Sequence, residues 1–227
     1  MKRDYINPWV EVPAEPPYVL PCESELIRRY NERHSVEKYR LQLNVLPEPF
    51  IGTETAPVVL LNLNPGFAAP DPADHERQDF QSLLRNNYRH SCSEFPFYSL
   101  DPHFENGGRK WWEEKLKPLI DVCGQKAVSR SLLCIEFFPY HSRRFGNRSF
   151  RVPSQQYGFH LARLAIDRGA VVIVMRGRSL WTKEIPELKT YSPMCALNNP
   201  QNVVVSRRNC KLFDLVVSSI CRGSADA

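Results

Sequence analysis

The sequence predicts an α/β fold, a mainly parallel sheet covered by helices on both faces. Three observations carry that expectation. Runs that are apolar almost throughout recur at 58–63 ("VVLLNL"), 131–138 ("SLLCIEFF") and 170–176 ("AVVIVMR"), as strands buried on both faces require. Helix-length amphipathic stretches alternate with them, the pattern of right-handed crossovers in a parallel sheet. Each apolar run stops on polar or turn-forming residues, and open α/β sheets bind their ligands just past such strand ends.

The elements follow in order. Residues 1–22 hold five prolines and several aromatics and read as an extended arm, followed by a charged, solvated helix in "ESELIRRYNERH" (23–34). "LNVLPEPFIGTETAP" is a proline-broken connection into the first buried strand. The region 68–110 is irregular around a helical "FQSLLRNNYRH", and ends in the aromatic loop "EFPFYSLDPHFENGG"; loops of this length in a compact domain are usually functional. "KWWEEKLKPLI" (110–120) is an amphipathic helix leading to the second strand, which breaks at Pro139. Ser154 is the expected N-cap of a helix over "QQYGFHLARLAIDRG", with Gly169 as its stop. The third strand leaves through Gly177 into "GRSLWTKEIPEL", and "CKLFDLVVSSIC" closes the chain as a helix. The expected organisation is a proline-rich extension with a helix over 1–50, packed on a single domain over 51–227.

The totals narrow the function classes. With 227 residues, 42% hydrophobic and 24% charged, the chain has ordinary globular composition. Lys and Arg exceed Asp and Glu by 30 to 25, a mild basic excess that permits nucleic-acid binding without requiring it. Seven scattered cysteines form no C-x-x-C pair, which argues against a disulfide framework, a zinc ribbon or an iron–sulfur cluster. No apolar segment is long enough to span a bilayer, and the N-terminus lacks a signal peptide's apolar core, so a cytoplasmic protein is expected. No G-x-G-x-x-G or P-loop follows a strand, which leaves a nucleotide- or phosphate-binding enzyme of another α/β family as the less favoured class.

Polar groups gather at the strand ends: "NLNPG" (62–66) after the first, Glu136 and "FPYHS" at the second, "RGRS" after the third, and "NNPQN" (198–202) before the last helix. Each alone reads as a turn. Two amide-proline turns near opposite ends of one α/β chain mean more. On these residues the chain resembles the uracil-DNA glycosylase superfamily, nearest its mismatch and thymine-DNA glycosylase branches. The family's first motif, Gly-Ile-Asn-Pro-Gly or Gly-Gln-Asp-Pro-Tyr, is similar to "NLNPG"; its second, Asn-Pro-Ser-Gly-Leu-Ser or His-Pro-Ser-Pro-Leu-Ser, lies where "NPQNVVVS" stands. The leading Gly is missing, and Gln201 and Asn202 replace Ser and Pro or Gly.

The resemblance implies a three-layer α/β/α sandwich with a central, mainly parallel four-stranded sheet. It also implies an enzyme that flips a nucleotide from double-stranded DNA, cleaves its N-glycosidic bond and leaves an abasic site, in repair or in defence against phage with modified DNA. Asn64 takes the catalytic position, orienting a water, with Asp71 as an assisting carboxylate; Asp74, His75 and Glu76 lie nearby, and all four also fit a solvated loop. Asn62, Pro65, Gly66 and Phe67 frame the base, Tyr98 or Phe97 stacks on it, Asn199 donates to its O2, and His141 assists its departure. Gly66 replaces the tyrosine with which the uracil-only branch blocks the C5 edge, so a C5 substituent is admitted. Glu136 stands where uracil readers place an asparagine. An ionised carboxylate only accepts, which suits the N4 amine of cytosine; pairing of Glu136 with Arg143, Arg144 or Arg176 is the alternative. The expected DNA contacts are Gln201, Asn202, Ser206, Arg207 and Arg208, with Val203 to Val205 as an apolar wedge, and a second basic cluster at Arg143, Arg144, Arg148 and Arg151. No metal or organic cofactor is needed by this chemistry, and a monomer is expected. The competing function is a non-catalytic nucleic-acid-binding protein that retains the fold.

Overall fold

The computed structural model describes residues 5–146 and 149–223; Arg148 lies outside them. It is an α/β protein whose five-stranded sheet has the order β1-β3-β2-β4-β5. The strands are β1 (Phe50–Gly52), β2 (Val58–Asn62), β3 (Leu132–Glu136), β4 (Val171–Val174) and β5 (Met194–Ala196). β3, β2, β4 and β5 run parallel, and β1 is antiparallel to β3. The helices are α1 (Ser24–Arg33), α2 (Asp71–Glu76), α3 (Gln78–Tyr88), α4 (Gly107–Cys123), α5 (Gln125–Ser131), α6 (Gln155–Asp167), α7 (Arg178–Glu184) and α8 (Phe213–Gly223).

The three central strands are those the apolar runs predict. Every residue of β2, β3 and β4 is buried, so both faces of the sheet centre are covered. Register sets Asn62 beside Glu136 at the ends of β2 and β3. The strand count of four is corrected to five. β1 lies within the segment read as a proline-broken connection, and β5 between "GRSLWTKEIPEL" and the closing helix, where no element is predicted. Each has three residues, too short for periodicity to speak, and each is an edge strand defined by its neighbour.

Gly52 shows how closely β1 approaches β3. Its φ is +111°, and a Cβ there would lie 2.1 Å from the carbonyl oxygen of Leu132. β1 starts at Phe50, so the boundary expected after residue 50 falls inside a strand. Trp9, Tyr18, Leu20, Ile27 and Tyr30 of the N-terminal segment are buried in the same hydrophobic core as the sheet.

The cap of α6 differs from expectation. Ser154 precedes the helix, but its side chain makes no capping bond. Its N–H instead donates to Glu23 Oε1 at 2.5 Å, and Glu23 Oε2 also accepts from the Tyr140 hydroxyl at 2.6 Å. A buried carboxylate from the N-terminal segment thus replaces the local cap. Gly169, at φ +76°, ends the helix as predicted. Among the described residues no helix is long and apolar enough to cross a membrane.

Candidate functional site

β2 sits at a topological switch point. The chain leaves β2 toward β3 on one side and returns across it to β4 on the other, which opens a crevice at the carboxyl ends of these strands. There the structure has a cavity of about 340 Å³, within the range of small-molecule sites. Asn62, Asn64, Pro65, Gly66, Phe67, Asp71, Glu136, His141 and Arg143, all anticipated from sequence, line it together.

The end of β2 is fixed from behind. The Asn62 carbonyl accepts from the Trp181 indole N–H at 2.7 Å, and Trp181 is wholly buried against Phe137 and Phe159. In front, Asn62 Nδ2 donates to Glu136 Oε1 at 2.9 Å. Asn62 Oδ1 and Glu136 Oε2 are buried and have no hydrogen-bond partner. Two unpaired polar atoms in a buried site are costly unless a ligand meets them. Burial drives the Glu136 carboxyl up to about 8, against the Asn62 hydrogen bond that favours its charged form. Burial thus favours the protonated form of Glu136, in which Oε2 can donate, over the acceptor-only ionised carboxylate. The arginine pairing is not what forms: the hydrogen-bond partner is Asn62, and Arg176 acts on Glu136 as a nearby charge.

Asn64 is held by its amide nitrogen, which donates to the Pro65 carbonyl at 2.7 Å and to Ser142 Oγ at 3.2 Å. Gly66 has open space where a Cβ would stand. Arg143 lies over the Phe67 ring at 6.0 Å. The Asp71 carboxylate accepts from the Ala68 N–H at 2.8 Å and so shapes the turn while facing the cavity. Asp74 also lines it, with its carboxyl raised by burial and by Asp71; Glu76 is exposed outside it. His141 Nδ1 donates to the Gly66 carbonyl at 2.6 Å. Its Nε2, the nitrogen left for a leaving base, is buried and has no hydrogen-bond partner.

Other expected residues lie elsewhere. Tyr98 and Phe97 are buried outside the cavity lining, Tyr98 edge-on to Phe80 at 6.2 Å and Phe97 against Trp112 at 4.9 Å. The aromatic walls are Phe67, Phe80, Trp111 and Trp112. Asn199 does not line the cavity. Its Oδ1 accepts from the N–H groups of Gln201 and Asn202, at 3.0 and 3.2 Å, and closes its own exposed loop. Val203 and Val205 are fully buried, so neither projects as a wedge; Val204 is half-buried. Ser206 is half-buried, and Gln201, Asn202 and Arg208 are exposed. Arg207 is paired to Asp214. Arg144 is exposed, whereas Arg151 pairs with Glu184 at 2.9 Å.

Sequence reasoning missed Glu48, Ser142, Trp111 and the lining role of Arg176, whose Nε donates to the Pro200 carbonyl at 3.3 Å and ties the "NNPQN" loop to the rim. The N-terminus of α4, at Asn106–Gly108, also borders the cavity. Comparison with protein-family models, curated proteins and solved structures finds no match to this chain.

Proposed function

We propose that the chain is a hydrolase that excises a base from DNA, and that the base is a modified or mismatched pyrimidine. The reading takes a C5-substituted cytosine as the target and a uracil-DNA glycosylase-like sandwich as the fold. The observation that carries it is the pair of buried, unpartnered atoms, Asn62 Oδ1 and Glu136 Oε2, on two hydrogen-bonded residues that both line the cavity. With Glu136 protonated they offer one acceptor and one donor. A cytosine edge complements them: N4–H donates to Asn62 Oδ1, and N3 accepts from Glu136 Oε2–H. Uracil presents a donor and an acceptor as well, but O4 is not basic. Only cytosine N3 can take the proton outright, leaving a carboxylate–cytosinium pair, and the same transfer makes cytosine a better leaving group. Phe67 and Trp111 supply faces for stacking. Arg143, Arg176 and the N-terminus of α4 supply positive potential for the flanking phosphates.

The deciding experiment measures abasic-site formation on duplexes containing uracil, a thymine mismatch, cytosine, 5-hydroxymethylcytosine or its glucosylated form, with Asn64→Ala as control. Excision confined to modified cytosine and lost in the control is expected. Uracil-only excision would discard the cytosine argument. Binding without excision of any base would favour the non-catalytic alternative.

Gly66 sets the size limit at C5. Because nothing lies within 4 Å of a Cβ there, Gly66→Tyr should fold normally and project its ring into the cavity. Excision of the glucosylated base should fall about tenfold or more, while unsubstituted cytosine is affected less. Equal losses on both bases would show that Gly66 does not read the C5 edge.

A further inference from the structure

We propose that Glu48, His75 and His141 hold the attacking water of this reaction, with Glu48 as its base. The inference rests on the glycosylase reading and assigns the group that Asn64 cannot be, since an amide does not titrate near neutral pH.

All three side chains line the cavity, and one nitrogen or oxygen of each lies within 4.8 Å of the others. Glu48 Oε1 is 3.9 Å from His141 Nε2. The hydrogen bonds of the two rings fix their tautomers. His141 is 4% exposed, its Nδ1–H is committed to the Gly66 carbonyl and its Nε2 has no hydrogen-bond partner, so in the neutral ring Nε2 offers a lone pair. His75 Nδ1 accepts from the Leu46 N–H at 2.9 Å, so its proton is on Nε2. Burial, the largest cause, holds His75 neutral, down to about 2. The cluster therefore presents an acceptor at His141, a donor at His75 and a carboxyl at Glu48. One water satisfies them by donating to Glu48 and His141 and accepting from His75, which leaves a single lone pair free to attack.

The alternative occupant is a metal ion, and the tautomer of His75 disfavours it. The nitrogen of His75 not bonded to the backbone carries a proton and cannot ligate. The 3.9 Å between Glu48 Oε1 and His141 Nε2 lies between the roughly 4.6 Å expected for tetrahedral partners of a water at about 2.8 Å and the roughly 3.4 Å expected for ligands of a zinc ion at about 2.1 Å, so the tautomer of His75 is what separates the two occupants.

Glu48 is positioned by the sheet. Its N–H donates to the Pro139 carbonyl at 3.1 Å, and β1 begins two residues later. The titratable groups around it are His75, His141, Asp71, Glu136, the Tyr98 and Tyr88 hydroxyls and the Cys134 thiol. Burial, followed by Asp71, raises the Glu48 carboxyl. In the reaction the C1′–N1 bond breaks with its electron pair on the base, which takes the Glu136 proton at N3. The water oxygen bonds to C1′ and its proton passes to Glu48. Solvent then reprotonates Glu136 and deprotonates Glu48.

The test compares Glu48→Gln with wild type in single-turnover excision of glucosylated 5-hydroxymethylcytosine, and in binding to the same duplex made uncleavable by a 2′-fluoro sugar. The excision rate should fall by about 10²–10⁴ with binding unchanged, and the acidic limb of the wild-type rate–pH profile should disappear. Glu48→Ala should regain rate with added azide or formate, which a merely structural role would not allow. Full-rate excision by Glu48→Gln overturns the water site, as does wild-type excision that chelation abolishes and zinc restores. If wild type excises no base at all, the glycosylase reading itself fails and this inference falls with it.

Discussion

Glu136→Gln should abolish most excision and make the protein more stable at alkaline pH. The amide still accepts from Asn62 and can still donate to a ring nitrogen, but it has no proton to give up. Excision should fall by about 10²-fold or more while binding of the duplex persists. The stability change follows from the position of the carboxyl in the folded chain, up from 4.5 to about 8. Between those values the unfolded chain has lost the proton and the folded chain keeps it. The folded state then binds more protons, so stability falls as pH rises through this window, by at most about 5 kcal/mol. Below pH 4.5 both states are protonated and the contribution is flat. Urea unfolding at pH 5 and pH 8 measures the effect: the stability of Glu136→Gln relative to wild type should grow between the two. A constant difference would mean that Glu136 ionises normally in the folded protein, which restores the acceptor-only pairing with the cytosine amine. A gain in stability at the expense of activity is the usual signature of a buried functional group.

Gly52→Ala should be the most destabilising small substitution in the sheet. At φ +111° a Cβ is strained by the backbone itself, and it would stand 2.1 Å from the Leu132 oxygen and 3.2 Å from the Leu133 Cα. Those are backbone atoms of or beside β3, which cannot turn aside as a side chain could. Strain and overpacking together should cost about 3 kcal/mol or more, a fall in Tm of roughly 6–12 °C for a chain of this size. A Tm within about 2 °C of wild type would mean that β1 yields by sliding off β3. Excision should then fall, because Glu48 is carried on the same segment.

The site was partly legible before the fold was known. Asn62, Asn64, Gly66 and Glu136 stand where long apolar runs stop, and a strand buried on both faces advertises its end. Glu48 gives no such signal. It lies between Pro47 and Pro49, outside any periodic pattern, and reaches the cavity because the segment before β1 runs antiparallel to the chain after β3. Trp111 looked like part of an amphipathic helix and also lines the cavity. Tyr98, Asn199 and Val203 erred in the other direction. An aromatic in a loop, an amide in a turn and a valine near a helix look alike in sequence whether they face a ligand, solvent or the core.

What the sequence determined by itself was the centre of the molecule. Burial on both faces admits only apolar side chains, so β2, β3, β4 and the polar groups at their ends can be read locally. The tertiary structure alone decided the edge strands, the capping of α6 by Glu23, and the burial that raises the Glu136 carboxyl. Each of these depends on groups far apart in the chain: β1 on β3, Ser154 on a carboxylate 131 residues away, and the charge of Glu136 on the burial the whole fold imposes. A carboxyl has no fixed character in a sequence, because its surroundings set the energy of its charge.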